Sequence, residues 1–281
     1  MSDSAGRERW ARRMHQWGVR PSRSKGQNFL LDEEVVSRIA DAARAGDGSR
    51  LLEGGPGLGI LTEALLNRGA DVTAIELDDT LASHLRDHFR NEPRFHLVHG
   101  DATVVDPGEL FDQDDAYRIV ANLPYSVATV IIRHFLESQH PPDELVVMVQ
   151  REVAERMTAS AGDLSLLAMA ILLYTVPEYL FTVPNESFHP VPKVTSAVVR
   201  LRVRSEQLLT ARERDRLFEL ATVAFQQKRK TLANSLAPEL GMDKPDFVGY
   251  LAAIGIDASL RPQALPFEDW LRLARLEAAA A

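Results

Sequence analysis

The sequence predicts an α/β fold with a mostly parallel sheet, followed by a small helical domain. Two observations predict the sheet: short apolar runs recur along residues 1–150, and amphipathic stretches with helical periodicity separate them. This alternation is typical of βαβ crossovers and of sheets covered on both faces. A third observation predicts the second domain, because strand patterns stop near residue 205 and only helical patterns continue.

In chain order, the first helix is predicted over 31–44, where apolar residues recur on one helical face behind Asp32 as N-cap. Apolar runs predict buried strands at 50–54, 71–76, 95–98, 117–121 and 145–150, and amphipathic stretches predict helices at 58–67, 79–90 and 126–138. Alternation over 194–203 predicts a late, antiparallel edge strand. Gly and Pro separate the C-terminal helices expected at 213–225, 230–236, 244–254 and 266–276.

We therefore expect three parts: a basic N-terminal arm over 1–25, an α/β domain over 26–204 and a helical domain over 205–281. Seven basic residues against two acidic ones give the arm a local charge of +5, whereas the whole chain has −8, which leaves −13 for the remainder. This asymmetry is typical of a phosphate-binding arm on an acidic body. A solvated tail and, less well, a transit peptide fit the same composition.

Composition excludes several classes of protein. The 281 residues contain no cysteine, which excludes disulfides, thiolate nucleophiles and cysteine zinc sites and fits a reducing, cytoplasmic location. No apolar run reaches the roughly 18 residues that a bilayer span needs, so no membrane association is expected. His84 and His88 lie one helical turn apart without a third ligand, so we expect no metal site. We also expect the protein to be a monomer.

The segment Asn122-Leu123-Pro124-Tyr125 follows the predicted strand 117–121 and carries the most specific chemistry. Proline favours an extended conformation at Leu123, which lets the Leu123 carbonyl point away from the strand end. This carbonyl and the Asn122 amide oxygen provide two neutral acceptors for the hydrogens of an exocyclic amine. Tyr125 provides a face on which the ring that carries the amine can stack. The segment therefore predicts a pocket for an aromatic amine.

A glycine-rich loop lies where the first strand turns into a helix, with Gly55, Gly57 and Gly59 in the pattern Gly-x-Gly-x-Gly. Glycines at such a turn let the backbone approach a ligand closely, although the spacing fits a dinucleotide poorly. Glu53, Glu76 and Asp101 are expected to surround the same edge of the sheet. Three carboxylates repel a pyrophosphate and suit a cationic sulfonium, which favours S-adenosylmethionine as the cofactor.

Together these segments resemble the small-subunit ribosomal RNA adenine dimethyltransferases, the KsgA family. The resemblance covers residues 24 to about 270 and rests on eight segments in order: 25–30 (Lys-Gly-Gln-Asn-Phe-Leu), 55–59, 75–78 (Ile-Glu-Leu-Asp), 100–102 (Gly-Asp-Ala), 122–125, 150–156, 188–196 and 225–232 (Phe-Gln-Gln-Lys-Arg-Lys-Thr-Leu). It implies a class I methyltransferase fold, which is Rossmann-like with a seven-stranded sheet. It also implies S-adenosylmethionine as donor and transfer of two methyl groups to each of two adjacent adenosines in a hairpin loop of ribosomal RNA, during small-subunit biogenesis.

The resemblance assigns roles to residues that match the family's motifs. Donor-binding residues would be Asn28, Leu30, Gly55, Gly57, Glu76, Asp101 and Asn122. The adenine pocket would consist of Asn122, Leu123, Pro124 and Tyr125, with Phe188 over the other face of the base. Basic residues expected to hold the RNA are Lys25, Arg151, Arg156, Lys193, Lys228, Arg229 and Lys230, the last three in a helical stretch.

Two residues depart from the family's pattern, and two other functions remain open. Gly54 stands where an aliphatic residue is usual, and Asp163 stands in a short segment where arginine is usual.

One alternative function is that of an Erm-type methyltransferase of large-subunit ribosomal RNA, a resistance enzyme. Those enzymes typically carry Asn-Ile-Pro-Tyr and lack the basic 225–232 motif. The other alternative is a ribosome-assembly factor that binds RNA without turnover.

Overall fold

The computed structural model describes residues 3–22 and 27–275. The chain divides into two compact units, of which the first contains residues 1–154 and 177–203 and the second contains residues 155–176 and 204–281. The sequence analysis assigned 155–176 to the first domain. The structure instead groups this segment with the C-terminal helices.

The helices and strands, in chain order, are α1 (Asp3–Gln16), β1 (Phe29–Leu30), α2 (Glu33–Ala42), β2 (Arg50–Gly54), α3 (Ile60–Leu66), β3 (Asp71–Glu76), α4 (Asp79–His88), β4 (Phe95–His99), β5 (Arg118–Asn122), α5 (Ala128–Leu136), β6 (Glu144–Gln150), α6 (Arg151–Met157), α7 (Leu166–Tyr174), β7 (Thr175–Val183), β8 (Phe188–His189), β9 (Ser196–Val203), α8 (Ala211–Gln226), α9 (Leu232–Leu236), α10 (Lys244–Ala253) and α11 (Phe267–Arg275).

Seven strands form the main sheet in the order β4-β3-β2-β5-β6-β9-β7. The pairs from β4 to β6 are parallel, and β9 is antiparallel to β6. The predicted mostly parallel sheet and the antiparallel direction of the late strand are thereby confirmed, whereas its predicted position at the edge is wrong, because β7 lies outside β9. From β2, the next strands along the chain, β3 and β4, are added towards one edge of the sheet. From β5, the next strand β6 is added towards the other edge, so the strand order reverses between the neighbours β2 and β5. In open α/β sheets this reversal leaves a crevice at the carboxyl ends of the strands, where ligands bind.

Local signals explain the helices that surround this sheet. The side chains of Asp32 and Asp78 accept hydrogen bonds from backbone amides in the first turns of α2 and α4. Such caps satisfy donors that a helix leaves unpaired at its N-terminus. The apolar face of α2 then packs in the first core, which also contains residues of α3, β2 and β3.

The second unit has its own apolar core, and that core explains why α7 belongs to it. Ala168, Met169 and Leu173 of α7 are buried together with Leu217 of α8 and Trp270 of α11. α7 has almost no polar side, so the sequence showed no amphipathic pattern from which to predict this helix.

Sequence analysis also missed α1 within the N-terminal arm. Trp10 is 0% exposed, and its indole Nε1 donates to Glu33 Oε1 at 3.0 Å. The guanidinium of Arg13 lies over the Trp10 ring and bonds Glu63 at 3.2 Å. Residues 3–16 are therefore a helix packed on the first unit, and two of the arm's basic groups, Arg9 and Arg13, have carboxylate partners.

The edge strand β7 was missed for another reason. Pro177 interrupts its apolar pattern, and proline is tolerated at an edge because no ladder donor is needed there.

In the part of the chain that the structure describes, no helix has the length and apolar character needed to cross a bilayer. No cluster of three or more potential metal ligands occurs among the same residues.

Replacing the indole that anchors α1 should weaken the first unit. Trp10→Ala removes a fully buried ring and the bond to Glu33, for which a loss of about 3–5 kcal/mol is typical. We expect a lower urea midpoint and faster amide exchange in α1. Arg12→Ala, an exposed change on the same helix, is the matched control and should shift stability by less than about 0.5 kcal/mol. Equal effects of the two changes would contradict the packing role of Trp10.

Candidate active site

A cavity of about 400 Å³ lies in the first unit at the carboxyl ends of β2, β3 and β5. This is the position that the strand reversal provides, and the volume is in the range typical of small-molecule sites. The residues that line it are Gln27, Asn28, Phe29, Leu30, Glu53, Gly55, Pro56, Gly57, Leu58, Ile60, Leu61, Glu76, Leu77, Asp78, Leu81, Asn122, Leu123, Pro124, Tyr125, Ser126 and Val127. The structure therefore brings the predicted donor-binding residues together, with the exception of Asp101.

The glycine loop forms one wall of the cavity. Gly55 and Gly57 have φ of 70° and 60°, which side-chain-bearing residues rarely adopt. A Cβ on Gly57 would also lie 3.3 Å from the Phe29 ring. Glycine at 57 therefore lets residues 27–30 approach the loop and close that side of the cavity.

Two acidic side chains, Glu53 and Glu76, belong to the wall beside this loop. Both oxygens of Glu76 accept backbone hydrogen bonds, one from Gly57 N at 3.1 Å and the other from Asp78 N at 2.9 Å. Burial raises the pKa of Glu76, and these amide bonds partly offset that rise. The amides also fix the orientation of the carboxylate at the end of β3.

Glu53 is buried more deeply than Glu76. Its Oε2 accepts a hydrogen bond from Thr62 Oγ1 at 2.6 Å, and burial raises its pKa to about 8, with a smaller contribution from the charge of Glu76. Near neutral pH the Glu53 carboxyl is therefore largely protonated when no cation is close. A cationic ligand in the cavity would favour its ionised form.

The segment 122–125 begins at the last residue of β5. Leu123 N donates to Met148 O of β6 at 3.3 Å, which continues the sheet pairing by one residue. Val127 N donates to Pro124 O at 3.1 Å and closes a turn before α5. Among the described residues, no hydrogen bond engages the Asn122 side chain or the Leu123 carbonyl oxygen. Both acceptors are therefore available to a ligand.

Tyr125 lies half-buried on this turn. Its hydroxyl is 2.6 Å from the Ser196 hydroxyl, and burial raises the pKa of the phenol. The phenol therefore stays neutral, and its ring belongs to the wall beside Asn122. Sequence analysis predicted the ring but not its partner, because nothing in a single sequence pairs residues so far apart.

Two predicted site residues lie elsewhere in this conformation. Asp101 accepts hydrogen bonds from Thr103 N and Thr103 Oγ1, both at 2.8 Å, and caps the turn after β4. Phe188 is 1% exposed and pairs with Leu30 in the two-stranded β1–β8 ribbon. Its ring is part of the apolar core, so stacking on a base would require this ribbon to move.

The predicted RNA-binding residues are spread over both units. Lys25 lies outside the described residues. Arg151 and Lys193 are exposed in the first unit, where Arg151 N bonds Thr195 O at 2.9 Å beside Ser196. Arg156 is exposed at the end of α6.

The helical stretch expected around residues 228–230 is interrupted at these residues. α8 ends at Gln226, and Lys230 N bonds Gln227 O at 2.8 Å, so Lys228, Arg229 and Lys230 form an exposed turn. Gln227 leaves the helical region with ψ of 42°, and α9 begins only at Leu232.

The seven-stranded sheet, the strand reversal and the acidic cavity define a class I methyltransferase that uses S-adenosylmethionine, as the sequence predicted. The residues present fit this donor, since two glycines with positive φ and two buried acids surround one cavity. Residues 20–278 match the model of the ribosomal RNA adenine dimethylase family. The chain belongs to that family.

Individual relatives agree with the match. Ribosomal RNA small subunit methyltransferase A of Pseudomonas aeruginosa is 41% identical over 251 residues, which cover 89% of this chain and 91% of the relative. A dimethyladenosine transferase from Plasmodium falciparum superposes with a TM-score of 0.73 at 25% identity over 87% of this chain and 95% of the other. The 23S rRNA methyltransferase ErmE superposes with a TM-score of 0.71 at 29% identity over 88% and 98%.

Donor binding should release a proton from Glu53. Burial raises the pKa of Glu53 to about 8, and a bound sulfonium favours the ionised carboxylate, so affinity should fall as the pH drops below about 8. Calorimetry in buffers of different ionisation enthalpy measures this release. Glu53→Gln should lower the release, while exposed Glu34→Gln should not. The donor's own amino group titrates in every variant, so the difference isolates Glu53. An unchanged release in Glu53→Gln would contradict the assignment.

Proposed function

We propose that the chain transfers methyl groups from S-adenosylmethionine to the N6 amines of two adjacent adenosines in a hairpin loop of small-subunit ribosomal RNA, two to each, during subunit assembly in the cytoplasm. The observation that carries the proposal is the pair of unengaged acceptors, Asn122 Oδ1 and the Leu123 carbonyl, at the edge of an acidic cavity. Membership of the adenine dimethylase family supports it, as do the relatives named for small-subunit ribosomal RNA.

When bound, S-adenosylmethionine supplies a methyl group that needs no further activation. The residues of the chain then have to bind, align and raise the nucleophilicity of an amine. Asn122 and Leu123 accept its two hydrogens, which draws the nitrogen lone pair out of conjugation with the ring. Alignment and hydrogen bonding of this kind are sufficient for a large share of the rate acceleration. No strong base is needed, because the amine becomes acidic only after it is methylated.

A neutral amide suits position 122 better than a carboxylate. Glu53 and Glu76 already place acidic groups in the wall, and burial raises the pKa of each. A further charge beside them would be costly in the empty cavity. Asn122 offers the same acceptor oxygen without that cost.

An adenosine in a hairpin loop is a more accessible substrate than a paired one. The base must leave its stack to reach the cavity, and loop bases are already partly unstacked, so the cost of a few kcal/mol is reduced. Stacking of the base on Tyr125 would offset this unstacking cost by roughly 1–3 kcal/mol. The half-buried position of Tyr125 leaves part of the ring open for this contact.

The likeness to ErmE favours one competing substrate, large-subunit ribosomal RNA. The Asn-Leu-Pro-Tyr segment and the basic 225–232 motif favour the small subunit instead. Unmethylated small and large subunits, each incubated with labelled donor, distinguish the two when the modified adenosines are mapped. We expect label in small subunits, two methyl groups on each of two neighbouring adenosines. Label in large subunits alone would support the Erm-type function, and binding without label would support an assembly factor.

Asn122→Ala should abolish methyl transfer. The change removes one of the two amine acceptors, and because Asn122 also lines the donor cavity, donor affinity should fall but remain measurable. Single-turnover rates and donor calorimetry check the two parts separately. Exposed Asn91→Ala is the matched control and should behave as wild type. Near-normal turnover of Asn122→Ala would refute its role.

The turn 228–230 should contribute to RNA affinity through charge alone. Replacing Lys228, Arg229 and Lys230 with Ala should flatten the dependence of log affinity on log salt by up to about three units. Fluorescence anisotropy with the hairpin RNA between low and physiological salt measures the slope. Arg212→Ala with Arg214→Ala, at the other end of α8, serves as the control. If the triple variant keeps the wild-type slope, the turn does not contact phosphate.

A further inference from the structure

We propose that Ser196 is a positioning residue that holds the Tyr125 ring in the orientation needed for stacking on the target base. The inference rests on the proposed function. It concerns a hydrogen bond within the first unit, between the turn after β5 and the start of β9, with 2.6 Å between the two hydroxyl oxygens.

The two partners differ in how firmly the fold holds them. Ser196 is 0% exposed, and its backbone pairs with Gln150 at the end of the β6–β9 ladder. Arg151 N bonds Thr195 O at 2.9 Å and extends that pairing by one step. Tyr125, in contrast, lies outside the ladder, on a turn between a strand and a helix that is flanked by the bonds from Leu123 N to Met148 O and from Val127 N to Pro124 O. The serine is therefore the fixed end of the contact and the tyrosine the end that it restrains.

A buried hydroxyl needs a partner, because leaving it without one costs more than the bond itself contributes. Among the described residues, the Tyr125 hydroxyl is the hydrogen-bond partner of the Ser196 side chain. The same bond fixes the far end of the tyrosine ring, so that both ends of the ring are held: Cβ by the turn and Oη by the sheet. The ring face then keeps one orientation beside the two acceptors of Asn122 and Leu123 before any substrate arrives.

Such restraint has a catalytic consequence. A stacking ring that rotates freely presents the base at many angles, whereas the amine must meet both acceptors and the methyl group at once. Preorganisation of this kind raises the rate of the aligned reaction without changing how tightly the donor binds. The bond should therefore affect kcat for methyl transfer more than donor affinity.

The test combines a structural and a kinetic measurement on the full chain. The five tyrosines are replaced biosynthetically with 3-fluorotyrosine, and the signal of Tyr125 is assigned by its loss in Tyr125→Phe. In Ser196→Ala the fluorine signal of Tyr125 should move and narrow as the ring gains freedom, while the other signals stay in place. In the kinetic arm, kcat on unmethylated small subunits should fall roughly three- to tenfold, the size expected for one hydrogen bond. The donor dissociation constant should stay within about twofold.

Three further variants separate positioning from simple loss of stability. Ser196→Thr retains the hydroxyl and should restore most of the rate. Tyr125→Phe with Ser196→Ala should be no slower than the slower single variant, because both remove the same bond. Ser49→Ala removes a hydrogen bond from Arg118 at the amino end of β2, the opposite edge of the same sheet, and should leave kcat unchanged.

The inference is overturned if Ser196→Ala keeps the wild-type kcat, if Ser196→Thr is as slow as Ser196→Ala, or if donor affinity falls in parallel with the rate. It is also overturned if the fluorine signal of Tyr125 does not change. A wild-type protein that methylates neither subunit contradicts the proposed function instead, and the fluorine experiment still decides whether Ser196 restrains the ring.

Discussion

The reversal of strand order between β2 and β5 is the constraint on which the site depends. In open α/β sheets, such a reversal leaves a crevice at the carboxyl ends of the two neighbouring strands. The glycine loop after β2 and the Asn122 segment after β5 are therefore brought face to face by topology alone. Glu76 reaches the same cavity because β3 is the next strand beside β2. The strand order determines where the crevice lies, and the side chains determine its lining.

Acidic side chains line the cavity, whereas basic side chains lie on α1 and on the turn 228–230. Glu53 remains buried because Thr62 bonds one of its oxygens and a raised pKa keeps the group largely neutral. The N-terminal helix uses Arg9 and Arg13 for pairs with Glu33 and Glu63, so these cations attach α1 to the first unit. The exposed turn 228–230, in contrast, is a local cluster of three cations.

Periodicity was sufficient to predict most of the sheet, because buried parallel strands appear as continuous apolar runs and β2 and β3 have the predicted bounds. It failed where a helix is apolar on every side, as in α7, and where one tryptophan anchors a mainly polar helix, as in α1. The cavity residues were predictable because strand ends converge. The burial of Phe188 and the bond between Tyr125 and Ser196 were not, since both depend on pairing between distant parts of the chain.

The packing of Leu123, Ala102 and Ala121 around position 54 explains how the chain accommodates glycine there. Its φ is not in the left-handed region, so the backbone does not require glycine there. A Cβ at this position would point at Leu123 Cδ2, 3.4 Å away, and would lie 4.0 Å from the Cβ atoms of Ala102 and Ala121. Three small residues thus leave the space that the Leu123 side chain fills.

A larger aliphatic side chain at 54 would compete with Leu123 for that space. Leu123 is buried, and its carbonyl is one of the two acceptors proposed for the substrate amine. A larger side chain at 54 would therefore change how the Leu123 side chain packs, while Pro124 keeps the Leu123 backbone extended. Glycine at 54 and leucine at 123 act as a matched pair. The space for the Leu123 side chain thus depends on a residue of the neighbouring strand β2.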